Sequence, residues 1–420
     1  MVQIIEKIKD KLLYPKAKAV VNFQSFLKRI QTLNSKTVIV ENNSYDDRPI
    51  LFIALYQYGT LRQDIVFLLE EARSRGFYIY GINTLKLDKN DLKYFDTYIG
   101  RPNFGRDFGS YKKGFLHLFK KEQLKNCPRL LMLNDSIIYV KQGLSKFLND
   151  LVNTDIEVLS ATENFEIEPH LGSFCISFDN KILNHKRFQR YWLKYKLTDV
   201  RPKVIKKGEM KLSKVLKKCV SSPRNFASLY NVTRFFNEID INDNIVDFFM
   251  KHHRTSTLVH WPKFERSEVL KEISSYVTKY TDTSELKVEI TGDISNMNET
   301  VSTYTLSEFV EYTGRFIKDP DSKNTIGKLV RQIIVGQALD VFRCGSQIHQ
   351  NQSILLKMGL PIIKMDCLYR GMFNMQDILT LTNQLPEEDS KLVFGELTKR
   401  QFGADTLIGW KRAAFMVGLI

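Results

Sequence analysis

The sequence has 420 residues, of which 43% are hydrophobic and 26% charged, and its formal net charge is +15. This length allows roughly two or three domains with sizeable cores, and the 28 Phe and 18 Tyr residues exclude a largely disordered chain. No apolar run reaches the about 18 residues of a membrane span, and the start lacks the apolar core of a secretory signal. We therefore expect a cytoplasmic protein.

Its five cysteines are scattered without a CxxC pair. This spacing supports neither a disulfide framework nor a zinc ribbon.

Lysine and arginine are concentrated in the segments 6–18, 196–219 and 396–415. An anionic membrane surface would suit such segments, because each basic residue gains about 1 kcal/mol near acidic headgroups. A phosphorylated small substrate, nucleic acid and a solvated face without a partner are the alternatives. No helix-turn-helix, zinc-finger or RNA-binding signature supports nucleic acid. We favour a position at the inner face of the cell membrane and expect no nucleic-acid partner.

The predicted elements begin with a basic helical segment at residues 1–35, in which Pro15 is expected to break the helix. Between residues 36 and 140, runs rich in β-branched and aromatic residues alternate with segments of helical periodicity. Such alternation predicts an α/β fold with a mostly parallel Rossmann-type sheet and helices on both faces. The strand-like runs are KTVIVENNSY, PILFIALYQYG, YIYGINT, TYIGRPN and LLMLNDSIIYV.

After residue 140 the pattern becomes less regular. Residues 156–183 predict two further strands, and residues 185–230 predict a basic helical insertion. The stretch FNEIDINDNIVDFFMKHH is interpreted as an acidic turn that opens a helix. A boundary near residue 264 would separate a domain at 36–264 from a mainly helical region at 265–420. In that region KDPDSKN predicts a linker, and helices are expected around 326–343, 351–359 and 375–384.

Two polar motifs follow predicted strands. The glycine-rich stretch NFGRDFGSYKKGF occupies residues 103–115, and Asn134, Asp135 and Ser136 follow the buried run LLML. In open parallel sheets, ligands bind beyond the carboxyl ends of the strands. We therefore expect Asp135 at the rim where a ligand would lie.

These motifs resemble the rhamnan-synthesis F family of bacterial cell-surface polysaccharide glycosyltransferases. That family shows Asn-x-Gly-x-Asp-x-Gly, a Lys-x-Gly helix start and a strand that ends in Asn-Asp-Ser. HLGSFCISF is similar to its His-Leu-x-Ser strand. QIHQNQSILLKMGLPIIKMDCLYRGMF is similar to a later segment, although Ser346-Gln347 departs from the family's Asn-Pro. The motifs span about residues 50–375, and the resemblance implies a GT-A-like nucleotide-sugar transferase fold.

The resemblance also implies a set of site residues. Asp135 would contact the donor or a divalent cation, Mg²⁺ or Mn²⁺. Related folds hold this cation with Asp-x-Asp, whereas this strand end offers one carboxylate, so metal dependence stays open. Gly105 and Gly109 would allow close backbone approach or a positive φ; helix capping by Asp107 is the alternative. The expected substrate-binding residues are Asn103, Gly105, Arg106, Asp107, Gly109, Lys113, Asn134, Ser136, His170, His349 and Lys364.

The acceptor hydroxyl needs a general base in an inverting sugar transfer, and a carboxylate is the usual choice. Glu238 and Asp240 are the candidates from the acidic stretch at 236–247. Capping of a helix by acidic side chains is the alternative interpretation.

Together these features predict a nucleotide-sugar-dependent hexosyltransferase or rhamnosyltransferase. Its acceptor would be a lipid-linked glycan of O-antigen, capsule or rhamnan synthesis, and other polysaccharide-assembly enzymes would be its partners. The alternative is a non-catalytic glycan-binding or assembly subunit with a degenerate transferase fold, because the second carboxylate of Asp-x-Asp is missing.

Overall fold

The computed structural model describes residues 2–252, 305–315, 320–400 and 403–420, together with positions 264, 269, 271, 272 and 275. The chain forms two compact units. The first, called here the sheet unit, contains Met1–Leu229 and Gly359–Ile420, and the second, the helical unit, contains Tyr230–Met358. Residues 359–420 thus belong with the sheet, because their strand pairs with a strand that follows Asp135. The boundary predicted near residue 264 borders residues outside the described ranges and stays a prediction.

The strands supply the centre of the sheet unit. Those of the described residues are β1 (Val38–Glu41), β2 (Ile50–Leu55), β3 (Tyr78–Asn83), β4 (Thr97–Gly100), β5 (Arg129–Asn134), β6 (Ile137–Tyr139), β7 (Val158–Ser160), β8 (Glu163–Asn164), β9 (His170–Leu171), β10 (Cys175–Asp179), β11 (Phe226–Ser228) and β12 (Ile362–Lys364).

Within the described residues, the main sheet has eight strands in the order β1-β4-β3-β2-β5-β10-β7-β11. The inner strands β4, β3, β2 and β5 are parallel, whereas β1 and β10 pair antiparallel with their neighbours. Every residue of β2, β3 and β5 is buried, as expected for parallel strands with helices on both faces. The predicted α/β class is confirmed, and the sheet is mixed because its flanks include antiparallel pairs.

Within residues 2–252, 305–315, 320–400 and 403–420, the α-helices in chain order are α1 (Val2–Thr32), α2 (Gln63–Ser74), α3 (Arg106–Lys120), α4 (Leu144–Val152), α5 (Asn180–Leu183), α6 (Lys186–Lys194), α7 (Arg201–Val204), α8 (Lys211–Leu216), α9 (Val232–Ile241), α10 (Asp243–His252), α11 (Leu306–Gly314), α12 (Pro320–Phe342), α13 (Gln347–Gln350), α14 (Gln352–Lys357), α15 (Met375–Thr382), α16 (Glu387–Thr398), α17 (Gly403–Thr406) and α18 (Gly409–Met416). A π-helical turn, Ile205–Met210, joins α7 to α8.

Helix α3 lies against the middle of the sheet and is positioned by aromatic packing. Phe115 contacts Phe52 of β2, with ring centroids 4.9 Å apart, and stacks on Trp192 of α6 at 4.7 Å. A Cβ at Gly114 would lie 2.3 Å from the Phe52 ring, so only glycine allows this close approach. The packing brings the N-terminus of α3 to the edge where the parallel strands end.

Helix α1 continues through Pro15, so the expected break at that residue is wrong. Proline removes one N–H donor, while the hydrogen bonds of the flanking turns maintain the helix. One face of α1 packs on α18, where a small buried cluster contains Ala17, Val21, Val200, Ala414 and Leu419. No helix among the described residues has both the length and the apolar character needed to cross a membrane.

The helical unit contains α9–α14 and is packed around aromatic contacts such as Phe235 on Phe342, with centroids 4.3 Å apart. The interpretation of FNEIDI as a turn that opens a helix is wrong, because these residues form the second half of α9, which Asn231 caps. Helix α10 begins at Asp243 instead. The predicted linker is also corrected, since residues 320–324 form the first turns of α12.

Candidate active site

Polar side chains meet where β2, β3 and β5 end. Asn83, the last residue of β3, accepts a hydrogen bond from the Gln57 backbone N–H at 3.0 Å and donates to the Gln57 carbonyl oxygen at 2.8 Å. The Gln57 side chain in turn donates to Oδ2 of Asp135, and the backbone N–H of Tyr56 donates to the same oxygen at 2.6 Å. The predicted position of Asp135 at this edge is therefore realised, with β2 and β3 supplying its partners.

Asp135 is buried, with 7% of its surface exposed. Burial raises the pKa of its carboxyl group, and the hydrogen bonds from Gln57 and Tyr56 oppose that rise. Its backbone is braced by Arg62, whose Nη1 donates to the Asp135 carbonyl oxygen at 3.2 Å and whose Nη2 donates to that of Ile137 at 2.6 Å. Arg62 is held by the buried Asp64, with Nε and Oδ1 2.5 Å apart. This support makes Asp135 a fixed group rather than a mobile surface carboxylate.

Asn134 joins the glycine-rich segment to the end of β5. Its Nδ2 donates to Oδ2 of Asp107 at 3.0 Å, and its Oδ1 accepts from the Ser136 hydroxyl at 2.7 Å. Lys364 donates from Nζ to the same hydroxyl oxygen at 2.8 Å. Lys364 reaches this position because β12 pairs antiparallel with β6, opposite Ile137. Residues that are widely separated in the sequence thus form one continuous polar cluster.

Asp107 lies in the first turn of α3 and is half-buried. Burial and then the charge of Asp135 raise the pKa of its carboxyl group to about 6, while Lys364 and Arg106 act in the opposite direction. The two carboxylates are therefore close enough to repel each other. Carboxyl groups shifted in this way are enriched at functional sites.

The turn before α3 differs in part from the expectation. Gly105 has a φ of +91°, as predicted, but its N–H donates to Oδ1 of Asp199 at 2.6 Å. Gly109 is helical, and a Cβ there would lie 2.5 Å from the Phe104 carbonyl oxygen and 2.6 Å from Nη2 of Arg101. Gly109 therefore makes room for the protein's own arginine. The N–H group of Gly105 is likewise used within the fold, and the expected backbone approach of the two glycines to a ligand stays a prediction.

Arg101 was missed by the sequence analysis. It follows β4, is buried, and donates to the Phe104 carbonyl oxygen at 2.7 Å, the Arg106 carbonyl oxygen at 2.9 Å and the Ser110 hydroxyl at 3.0 Å. Burial lowers the pKa of Arg101 to about 10, so the side chain stays charged at neutral pH. Its signal in the sequence is a lone arginine directly after an apolar strand. An ordinary surface arginine would give the same signal.

The remaining predicted residues of the sheet unit lie around this cluster. Asn103 is half-buried in the turn before α3, Lys113 is half-buried within α3, and Arg106 is exposed, with Nε donating to the Asp199 carbonyl oxygen at 2.8 Å.

His170 is buried, with Nδ1 2.7 Å from the Glu168 carbonyl oxygen and Nε2 3.8 Å from Oε2 of Glu209. The charge of Glu209 also contributes to the raised pKa of Asp107. Glu209 therefore links His170 to the same polar cluster.

The other predicted residues belong to the helical unit. Glu238 pairs with Arg234 at 3.3 Å, and Asp240 lies 3.7 Å from Nη1 of Arg331. Nδ1 of His349 lies 2.8 Å from the Ser346 hydroxyl oxygen. Their proposed roles stay predictions.

The residues at the sheet edge fit a divalent cation. Mg²⁺ prefers oxygen ligands and is commonly held by one or two carboxylates together with substrate phosphates and waters. Tyr56 and Gln57 both donate to Oδ2 of Asp135, which leaves Oδ1 as the oxygen that a cation would contact. A single carboxylate is sufficient for such a cation when the ligand supplies the other oxygens.

The protein thus has a mixed α/β fold with a cluster of polar side chains at the carboxyl ends of its parallel strands, the edge where open α/β sheets bind ligands. Residues 83–221 match the family model of rhamnan synthesis protein F, which confirms the family resemblance over this segment. The segment includes Asp107, Asp135 and His170, and it ends before Glu238 and Lys364.

Curated relatives share parts of the chain. The protein y4gN of Sinorhizobium fredii (strain NBRC 101917 / NGR234) is 26% identical over 184 residues, which cover 42% of this chain and 48% of y4gN. Virulence protein VirA of Vibrio anguillarum is 32% identical over 98 residues, which cover 23% of this chain and 31% of VirA. The chain thus matches less than half the length of these relatives.

A solved structure, the glycosyltransferase GlyE of Streptococcus pneumoniae TIGR4, aligns over 69% of this chain and 64% of its own chain. The sequence identity is 10% and the TM-score is 0.24, which is too low to support a conclusion about fold or activity.

Proposed function

We propose that the protein is a glycosyltransferase that moves a sugar from a nucleotide-sugar donor to a glycan acceptor. The observation that carries this proposal is the cluster of Asp107, Asn134, Asp135 and Lys364 at the carboxyl ends of the parallel strands. Open α/β sheets bind their ligands at this edge. The match of residues 83–221 to rhamnan synthesis protein F supports the same reaction class.

The donor diphosphate would lie beside Lys364, with Arg106 near the start of α3. Lysine is a common phosphate partner, and the ammonium group of Lys364 is fixed by its hydrogen bond to Ser136. A divalent cation held by Oδ1 of Asp135 would supply further neutralisation of the leaving diphosphate. These groups stabilise negative charge that grows as the bond between the anomeric carbon and the diphosphate oxygen breaks.

Asp107 is our candidate for the acceptor base within the sheet unit. With a pKa raised to about 6, its carboxylate is ionised at neutral pH and more basic than an ordinary aspartate. In an inverting transfer it would take the proton of the acceptor hydroxyl while that oxygen bonds to the anomeric carbon. Glu238 and Asp240, the candidates from the sequence, remain the alternatives.

The finer assignments are rhamnose as the transferred sugar and a lipid-linked glycan of O-antigen, capsule or rhamnan as the acceptor. They are supported by the description of the matched family, which concerns rhamnan synthesis. An acceptor on a lipid also agrees with the net charge of +15, which favours an anionic membrane surface.

The test is thermal unfolding with UDP, GDP, dTDP and CMP, with and without Mg²⁺ or Mn²⁺, followed by transfer assays with the matching nucleotide sugars. We expect one nucleotide to raise the midpoint selectively, because a ligand that binds the native state stabilises it. Asp135→Asn should abolish transfer, while the exposed control Asp88→Asn should not change it. Silence with every nucleotide and donor would instead favour the non-catalytic glycan-binding or assembly subunit.

A further inference from the structure

Helix α1 has two apolar faces, and only one of them is covered. Ala17, Val21 and Ser25, spaced four residues apart, are buried in the sheet unit. A second set of apolar side chains is between 40% and 70% exposed, at spacings of three and four residues that place them on one side of the helix and its C-terminal end. This set, called here the α1 stripe, consists of Phe23, Phe26, Leu27, Ile30 and Leu33.

The charged residues in the chain segment that carries the α1 stripe have one sign. Residues 11–40 contain no Asp or Glu, while Lys16, Lys18 and Arg29 are exposed. Lys28 is the exception among the nearby cations, because its Nζ pairs with Oδ2 of Asp199 at 2.9 Å. An apolar face flanked by cations is typical of helices that lie in the interface of an anionic bilayer.

We propose that the α1 stripe docks on an anionic lipid surface, with Phe23, Phe26 and Ile30 inserted at the level of the headgroups and Lys16, Lys18 and Arg29 against the acidic phosphates. A second copy of the chain is a less suitable occupant, because it would bring two uncompensated cationic helices together. An acidic lipid surface supplies both the apolar layer and the opposite charge.

The docking helix is connected to the candidate site. The backbone N–H of Asp199 donates to the Ser25 hydroxyl oxygen at 3.1 Å, and Oδ1 of Asp199 accepts from the Gly105 N–H at 2.6 Å. One residue thus contacts both α1 and the turn that begins α3. A membrane that holds α1 would place the start of α3 near the bilayer surface. The docking itself does not depend on the proposed transferase activity.

The experiment is co-sedimentation of the full chain with vesicles of phosphatidylcholine alone and of phosphatidylcholine mixed with phosphatidylglycerol. We expect binding to the mixed vesicles only, weaker at high salt because exposed charges are screened. The triple variant Phe23→Ser/Phe26→Ser/Ile30→Ser should reduce partitioning by about 1,000-fold, at about tenfold for each of the three lost apolar side chains. The control Ile167→Ser/Leu193→Ser removes apolar side chains that are 67% and 59% exposed elsewhere, and it should leave binding unchanged.

Insertion is tested separately with Phe26→Trp, whose added fluorescence should be quenched by brominated lipids, whereas that of Ile167→Trp should not. Unchanged vesicle binding by the triple variant, or no binding by the unmodified chain, overturns the proposal. A change in the sedimentation coefficient of the lipid-free protein on mutation of the stripe, with vesicle binding intact, would assign the stripe to a second copy. Nucleotide binding in solution is unaffected in each case, so the transferase proposal is judged independently.

Discussion

Two pairs of carboxylates in this protein are expected site residues on sequence grounds and have very different surroundings. Asp107 and Asp135 lie at the end of a parallel sheet, where amide side chains hold them and each has a raised pKa. Glu238 and Asp240 lie on α9, with side chains 29% and 57% exposed and arginine partners. Burial without full charge compensation makes a carboxylate more basic, whereas an exposed ion pair contributes little to stability. The comparison therefore favours the sheet pair for chemistry.

Among the substitutions that test Asp107 against Glu238 and Asp240 as the acceptor base, Asp107→Asn should have the largest effect. Turnover should fall about 10²–10⁴-fold, because the amide cannot accept the hydroxyl proton, while donor affinity should change little. In the unmodified protein, activity should rise with pH through about 6, where Asp107 loses its proton, and this limb should be absent from the residual activity of the variant. Full turnover in a folded Asp107→Asn protein would remove Asp107 as the base and return Glu238 and Asp240 to first place.

Lys364→Gln should raise the KM for the donor by about 10–100-fold, because it removes a charged partner of the diphosphate. The glutamine can still donate to Ser136, so the pairing of β12 with β6 should survive. Lys391→Gln, an exposed lysine on α16, is the matched control. Equal donor affinity in both variants would exclude Lys364 from the donor site.

Asp107→Asn should also change stability with pH. The folded-state pKa of Asp107 is raised from 3.8 to about 6, so its stabilising contribution is complete below about pH 4 and is lost as the pH rises through 6. The asparagine variant lacks this loss. The difference in unfolding free energy between the variant and the unmodified protein should therefore shift in favour of the variant by up to about 3 kcal/mol between pH 4 and pH 8. Urea unfolding at both pH values provides the measurement, and a pH-independent difference would contradict the raised pKa.

The smallest effect is expected from Glu238→Gln and Asp240→Asn. Neither substitution removes a group that we place at the reacting atoms, so each should change turnover by less than about fivefold, and the loss of an exposed ion pair should cost about 0–1 kcal/mol of stability. Single-turnover rates for both variants decide the matter. A loss of 10²-fold or more in either would reverse the comparison and establish the helical residue as the acceptor base.

The fold class was predictable because β2, β3 and β5 are continuous apolar runs separated by helical periodicity. Asp107 and Asn134 belong to motifs that follow predicted strands, and the ends of parallel strands lie at one edge of the sheet, which agrees with their hydrogen bond. The position of Lys364 beside Ser136 depends on the pairing of β12 with β6, and no local pattern encodes a pairing over that sequence distance.

Gln57 and Arg101 escaped prediction for a different reason. Each is a single polar residue after a strand, and its importance arises only from the partners that the fold places around it. A glutamine that fixes a buried carboxylate and an arginine that fixes a turn cannot be distinguished by sequence from ordinary surface residues. The glycines show the converse: their pattern was evident, but it did not reveal that Gly109 makes room for Arg101.

The packing of α1 on α18 has a consequence for the order of folding. Ala17 and Val21 find their partners Ala414 and Leu419 only after the long intervening stretch of chain has left the ribosome. Contacts of such high sequence separation form late, and apolar surfaces that wait for them are exposed to other partners. During synthesis, α1 would therefore present both its α18-facing side and the α1 stripe at once. In the folded protein the α18-facing side is covered, while the α1 stripe stays exposed.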